Sequence, residues 1–291
     1  MFDRVYLRAP NHLGDGVMAL PAVAALAAAS RELSVAAPGW GRELYRGLGL
    51  RWIPRGEVPE AELGVLLAPS FRAAWEARGL PRRVGVPGDL RRWLLTDVVE
   101  RSSGHRSEEY ARIIGAIGLQ VSGAPRFEPT AEERAAAEVP RGHLALIPVS
   151  PSGPPVMWGG FAELAARWPG PKVVYTGPGE HWDTDLPVYP NLSLGMLAAC
   201  LERAAVVLVN DSGVSHFARA VGVPTVVVFG STAPGRTGAA GAVAVEGPAL
   251  DCRPCYRKRC PYAGVPCLAG VSVPAVEAAL RAAMADSVVA K

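Results

Sequence analysis

The amino-acid sequence predicts an α/β protein of two facing Rossmann-like, doubly wound domains with a cleft between them. Short apolar runs rich in Val, Leu and Ala alternate with helical patterns along nearly the whole chain, the mark of parallel sheets covered by helices. The series halts at a polar, Ala- and Glu-rich stretch over residues 129–142 and then begins again. The length, 291 residues, is that of two ordinary domains.

Residues 5–9 read as a buried strand and 16–29 as the helix after it. Strands are expected at 33–37, at 64–68 and around Val84 and Val86. A helix is expected at 107–118, where Ile113, Ile114 and Ile117 share a face. The polar stretch is expected to link a first domain, 1–139, to a second, 140–291. In the second, strands are expected at 144–148, 172–176, 205–209 and 225–229. Helices are expected at 160–168, 194–203, 212–221 and 274–284, the last with Pro274 in its first turn. In such sheets ligands bind beyond the carboxyl ends of the strands, so the loops that follow strands are the places to look for function.

Charge narrows the partners. Thirty basic and 27 acidic residues leave a net +3, too little for an extended duplex-binding surface, so nucleic acid is not expected as a partner. The basic run Arg257-Lys258-Arg259 is the feature that speaks for it. The uncharged run over residues 16–30 contains Pro21 and falls short of the roughly 20 apolar residues of a membrane span. No basic leader or cleavage site is visible, and a cytoplasmic location is expected.

Three strand-to-helix loops carry polar residues suited to chemistry. The first is Pro10-Asn11-His12-Leu13-Gly14-Asp15-Gly16. Its glycines permit close approach or a tight turn but form neither a dinucleotide fingerprint nor a Walker loop. Asp15 has two readings, a helix N-cap or a carboxylate placed to act as general base; His12 has the same ambiguity. The second, Asn210-Asp211-Ser212-Gly213-Val214-Ser215-His216, is an anion site in outline: free N–H groups at a helix start, hydroxyls of Ser212 and Ser215, and the His216 imidazole on the first turn. Asp211 suits sugar hydroxyls, or caps the helix. The third, Thr176-Gly177-Pro178-Gly179-Glu180, offers one carboxylate after a glycine-rich turn, which suits a ribose diol. The loop 230–234, with Thr232, would line the same cleft.

Together these segments resemble glycosyltransferase family 9, the ADP-heptose:lipopolysaccharide heptosyltransferases, and most of all its heptosyltransferase II branch. The resemblance is carried by NHLGDGVMALP at 11–21, by a middle block at 67–97, by NDSGVSHFARAVGVPTVVVFGSTAP at 210–234 and by CRPCYRKRCPYAGVPCL at 252–268. It implies the GT-B fold and inversion at the anomeric carbon without a metal. It also implies an ADP-sugar donor on the C-terminal domain and an anionic glycolipid or glycan acceptor of the cell envelope on the N-terminal one. By position Asp15 resembles the catalytic base, Glu180 the ribose contact, Asp211 the sugar-hydroxyl contact, and Gly213 and His216 the diphosphate site. Asn11, Gly14, Ser150, Ser152, Ser212 and Thr232 complete the expected substrate-binding set. One departure stands out. The family usually carries a hydroxyl residue and then a lysine before a tryptophan in the loop after the first C-domain strand. Here Ser150 and Ser152 precede Trp158, and Val156 or Met157 stands at the lysine position. Arg8 and Arg236 are candidate substitute cations. A non-catalytic or differently specific nucleotide-sugar-binding protein of the same fold is the alternative.

Two features lie outside these motifs. Residues 78–106 carry seven arginines, at 78, 82, 83, 91, 92, 101 and 106, against Asp89, Asp97 and Glu100. They read either as a solvated face or as a surface for an anionic acceptor and for peripheral contact with the inner leaflet of the membrane. Cys252, Cys255, Cys260 and Cys267 crowd together at a spacing that fits no standard zinc ribbon. Free, redox-sensitive thiols are the first reading, structural zinc the second.

Overall fold

The computed structural model describes residues 1–289, and the chain divides into two compact units, Met1–Pro125 and Arg126–Lys291. The first unit contains β1 (Phe2–Arg8), α1 (Leu13–Met18), α2 (Leu20–Ala29), β2 (Ser30–Ala36), α3 (Gly41–Leu44), β3 (Arg51–Trp52), β4 (Leu63–Leu66), α4 (Phe71–Glu76), β5 (Arg82–Gly85), β6 (Asp97–Val98) and α5 (Arg106–Gly115). Its sheet has the order β3-β2-β1-β4-β5-β6, with every pair parallel. The chain therefore winds outward from β1 to one edge, then returns to build the other side from β4. The point of reversal lies between β1 and β4, where ligands of such sheets bind.

The second unit repeats the plan. It contains α6 (Ala131–Ala136), β7 (His143–Ile147), α7 (Phe161–Arg167), β8 (Lys172–Thr176), β9 (Val188–Pro190), α8 (Leu194–Leu201), β10 (Ala204–Asn210), α9 (Gly213–Val221), β11 (Thr225–Phe229), α10 (Pro234–Thr237), β12 (Val243–Glu246), α11 (Pro266–Ala269) and α12 (Val273–Val289). Its order, β12-β11-β10-β7-β8-β9, reverses between β7 and β10. Leu146 stands beside Leu208 and Ile147 beside Val209 in that central pair. All five residues of β7 and all five of β11 are buried, as expected for parallel strands with both faces covered. Leu144, Leu146, Trp158, Phe161, Leu208, Val276 and Leu280 belong to the core on one side of this sheet.

The structure departs from the sequence expectations in three places. The helix expected at 16–29 starts at Leu13 and breaks at Ala19, because Pro21 near the start of α2 has no N–H to carry one helix through. The stretch at 129–142 is part of the second unit and not a free linker. Thr130 and Glu133 form a reciprocal capping box at the start of α6. Arg134 grips Glu202 with two nitrogens, at 2.7 and 2.9 Å. Phe127, Ala137 and Val139 are buried in an otherwise polar run, and few anchors in a charged segment leave little trace of packing in a sequence. The edge strands β3, β6, β9 and β12 are two to four residues long and partly exposed, so they lack the continuous apolar run that marks a central strand. Among the described residues, no helix is long and apolar enough to cross a membrane.

Candidate active site

In the first unit the decisive residue is Asp15. His12 is the N-cap of α1, and Asp15 sits within the first helical turn, so the N-cap reading of Asp15 does not hold. Gly14 is buried in the same turn. Gly16 answers a packing demand: a Cβ there would run into the Trp40 ring. The Asp15 side chain is 17% exposed, and Arg106 Nε lies 3.0 Å from its Oδ1. Tyr110, one turn along α5 from Arg106, is buried. Burial and then the Asp15 charge push its phenol well above the ordinary value, with Arg106 opposing, so it stays protonated. Composition placed Arg106 in a basic block and gave Tyr110 no role. Their i, i+4 spacing on a helix was the only available signal.

Beside this turn, at the carboxyl ends of β1 and β4, lies a polar cavity of about 450 Å³ lined by Arg8, Asn11, Arg55, Ser70, Arg72 and Glu76. Arg8 is 6% exposed, and its Nη2 donates to Asn11 Oδ1 at 3.2 Å. Burial pulls the Arg8 guanidinium below its ordinary value, Tyr6 and Glu76 oppose this, and Arg55 and Arg72 add to it. Three arginines against one glutamate suit an anion. The rest of the arginine block is largely structural. Arg91 is fully buried, with Nη1 donating to Ala68 O at 2.9 Å. Arg82 grips Asp97 at 2.8 Å. Arg83 donates to the Leu94 and Leu80 carbonyls, and Arg101 to that of Pro87. The solvated-face reading fails for Arg91, which is buried, whereas Arg82 and Arg83 are half-buried and Arg101 is exposed.

In the second unit the expected residues gather at the carboxyl ends of β7, β8, β10 and β11. Asn210 is fully buried and ties the central loops together: Nδ2 donates to Pro148 O at 2.7 Å, and Oδ1 accepts from Trp158 N at 2.9 Å. Asp211 Oδ2 accepts from Thr232 Oγ1 at 2.5 Å, which joins the β10 and β11 loops. Burial pushes the Asp211 carboxyl above the usual range, and the Thr232 bond only partly offsets this. Ser212 caps α9, and its hydroxyl is buried without a hydrogen-bond partner. Gly213 opens the helix.

Several of the expected residues in this unit also have partners within it. Ser215 Oγ donates to Ser212 O at 2.7 Å, so that hydroxyl serves the turn. His216 Nε2 lies 3.0 Å from Thr237 O; a carbonyl only accepts, so this nitrogen donates inward to α10. Glu180 Oε2 accepts from Gly177 N at 2.7 Å and closes its own turn. Ser150 is buried, with Oγ accepting from Ser152 N at 3.3 Å, while Ser152 is exposed. Val156 is buried, so the position lacking lysine is filled by apolar packing.

The cysteine segment braces the β11 loop: Ser231 O accepts from Cys255 N and Tyr256 N, at 3.0 and 2.9 Å, and Gly230 O from Arg253 Nε at 2.8 Å. All four cysteines line one small apolar pocket and are free thiols. Among the described residues, no three His, Cys, Asp or Glu side chains are arranged to hold a metal ion, so the thiols as placed do not form the tetrahedral set that the zinc reading requires.

Known proteins share this pattern. Residues 178–265 match the model of Glycosyltransferase family 9 (heptosyltransferase). The stretch matched to family 9 takes in Glu180, Asp211, Ser212, Gly213, His216, Thr232 and three of the four clustered cysteines; Asp15 and Ser150 lie outside it. Over 76 residues the chain is 43% identical to lipopolysaccharide heptosyltransferase 1 of Pseudomonas aeruginosa, a match covering 26% of this chain and 21% of that protein. The structure of E. coli ADP-heptose LPS heptosyltransferase II is similar over 97% of this chain and 99% of that one, with TM-score 0.77 and 19% identity. A family 9 glycosyl transferase from Veillonella parvula is similar over 97% of both chains, with TM-score 0.78 and 19% identity. At that identity the likeness shows the fold, two α/β units of GT-B type.

Proposed function

We propose that this protein is a member of glycosyltransferase family 9 and an inverting, metal-independent glycosyltransferase. It moves heptose, or a related sugar, from an ADP-sugar to a lipopolysaccharide-core or other anionic cell-envelope glycan, in the cytoplasm. The observation that carries the reading is Asp15, a carboxylate at the carboxyl end of the central strand, held by Arg106 and still partly open to solvent. An acceptor hydroxyl is a weak nucleophile at neutral pH. In the proposed step Asp15 takes its proton as the hydroxyl oxygen bonds to the anomeric carbon. The bond from that carbon to the ADP oxygen breaks on the opposite face, and ADP leaves with the electron pair. The second unit binds the donor: Glu180 meets the ribose, Asp211 and Thr232 the sugar hydroxyls, and the amides at the start of α9 the diphosphate. Arg236, next to the residue that holds His216, is the candidate cation in place of the absent lysine. Similarity to lipopolysaccharide heptosyltransferase 1 and to ADP-heptose LPS heptosyltransferase II supports the donor and the acceptor class.

Turnover with ADP-heptose and a deacylated lipopolysaccharide core tests the reading. Asp15→Asn is expected to lower kcat by about 10²–10⁴-fold with ADP binding intact; retained turnover in folded protein removes Asp15 from the role of base. A second reading, a nucleotide-sugar binder without transfer, is favoured by the buried Val156. A thermal shift with ADP and ADP-heptose but none with UDP, in the absence of any turnover, would decide for it.

A further inference from the structure

In the first unit, the large hydrophobic side chains that lie exposed are concentrated on one pair of elements. Phe71 and Trp75 on α4 are 40% and 49% exposed, and Leu90 and Trp93 on the 3-10 helix Asp89–Leu94 are 71% and 84% exposed. Met1 is the one other such side chain among the described residues of that unit. The two elements pack against each other. α4 turns Ala73 and Ala74 into the core, which leaves Phe71 and Trp75, four apart, on its outer side. Their rings stack at 6.0 Å between centroids. Nothing in core packing accounts for two outward tryptophans, a phenylalanine and a leucine on adjoining elements. Single exposed apolar residues are ordinary, whereas such a concentration marks a surface that meets something.

The surrounding charge indicates what it meets. Within residues 71–101, Arg72, Arg78, Arg92 and Arg101 are exposed. Arg78 lies over the Trp75 ring, with Cζ 4.3 Å from its centroid. Arg72 and Arg92 are largely exposed, and their partners are Glu76 and Glu100. An apolar centre of Trp, Phe and Leu ringed by arginine fits the boundary of an anionic bilayer: aromatic rings sit at headgroup depth and guanidinium groups reach lipid phosphates. A second copy of the chain is a poor occupant, because each copy would bring the same excess of arginine against the other.

We propose that the face formed by α4 and the helix Asp89–Leu94 docks the first unit on an anionic phospholipid surface, with Phe71, Trp75, Leu90 and Trp93 entering the headgroup boundary. Arg72 and Glu76 of the same α4 line the arginine-rich cavity, so docking sets that cavity near the surface on which an amphiphilic ligand is held. The inference is independent of the transferase reading, since vesicle binding and donor binding are separate measurements.

The test is co-sedimentation of the full chain with vesicles of phosphatidylethanolamine and phosphatidylglycerol, and with vesicles of phosphatidylcholine alone. Binding to the first and not the second is expected, with tryptophan emission quenched by brominated acyl chains. Trp93→Ser and Trp75→Ser are each expected to weaken binding by about tenfold or more, and Arg92→Glu by about tenfold. All three lie on the surface, so melting temperature and the thermal shift by ADP serve as controls on folding and on the donor site. Equal binding to both vesicle types, no binding at all, or unchanged binding by the tryptophan variants would overturn the proposal. So would a concentration-dependent dimer of the wild type that Trp93→Ser makes monomeric, which would assign the face to a second copy.

Discussion

Arg106 Nε lies 3.0 Å from Asp15 Oδ1, and this pair joins the first turn of α1 to the first turn of α5. The side chains are 27% and 17% exposed, so the pair is sheltered without being sealed. In the proposed reaction the base needs a fixed direction as much as a suitable charge, and Arg106 against Oδ1 supplies one.

Arg106→Ala should therefore lower kcat by about 10²-fold, as a misdirected catalytic group does, while KM for the donor holds. Arg106→Lys should recover part of the loss, since it restores the charge without the planar fork. Combined with Asp15→Asn, Arg106→Ala should add little further loss, because both changes remove one function. Steady-state kinetics of the three variants check this; full additivity would separate Arg106 from the base.

Asp211 sets stability against the sugar-binding role proposed for it. Its carboxyl is pushed above the ordinary range by burial. A raised carboxyl contributes most to stability below its unfolded value of about 3.9 and loses that contribution as pH rises through the folded value. At neutral pH the buried charge is thus a burden. Asp211→Asn keeps an oxygen for the Thr232 hydroxyl and removes the charge, so it should raise stability by about 1 kcal/mol and depress turnover. Urea unfolding and donor kinetics on one preparation measure both.

His143 should make the second unit sensitive to mild acid. It is fully buried. Nδ1 lies 2.7 Å from Pro140 O and so donates, which leaves Nε2 to accept from the Tyr175 hydroxyl at 2.9 Å. Burial lowers its pKa, the Pro140 bond opposes, and Arg203 adds to the lowering. The unfolded imidazole titrates near about 6.5. Between the depressed folded value and that point the unfolded chain binds more protons, so stability is complete above about 6.5 and falls as pH drops below it. Unfolding midpoints across this range should decline for wild type and decline less for His143→Gln.

Phe127 tests where the second unit begins. Its N–H donates to Ala220 O at 3.0 Å, and its ring lies 4.9 Å from that of Phe217. Phe127→Ala should destabilise the unit by about 3 kcal/mol, the cost of losing a buried aromatic, although the residue precedes the stretch that composition marks as a linker. A change within a few tenths of a kcal/mol in chemical denaturation would place Phe127 outside the folded second unit.

The α/β class and most of the central strands are legible in the sequence, because a strand covered on both faces must be apolar throughout; 172–176 and 225–229 match to the residue. The loops that hold Asp15, Glu180, Asp211 and Thr232 are legible for a related reason: the residues after such strands face the binding edge of the sheet. What those side chains do there was decided by tertiary structure. Arg106 comes to Asp15 from far along the chain, His216 turns to Thr237, Ser215 bonds back into its own turn, and Arg91 goes into the core. Local pattern reports the period of burial along a segment. The partner of a polar side chain is set by which segments the fold brings together, and a hydrogen bond or ion pair between distant residues leaves no period to read.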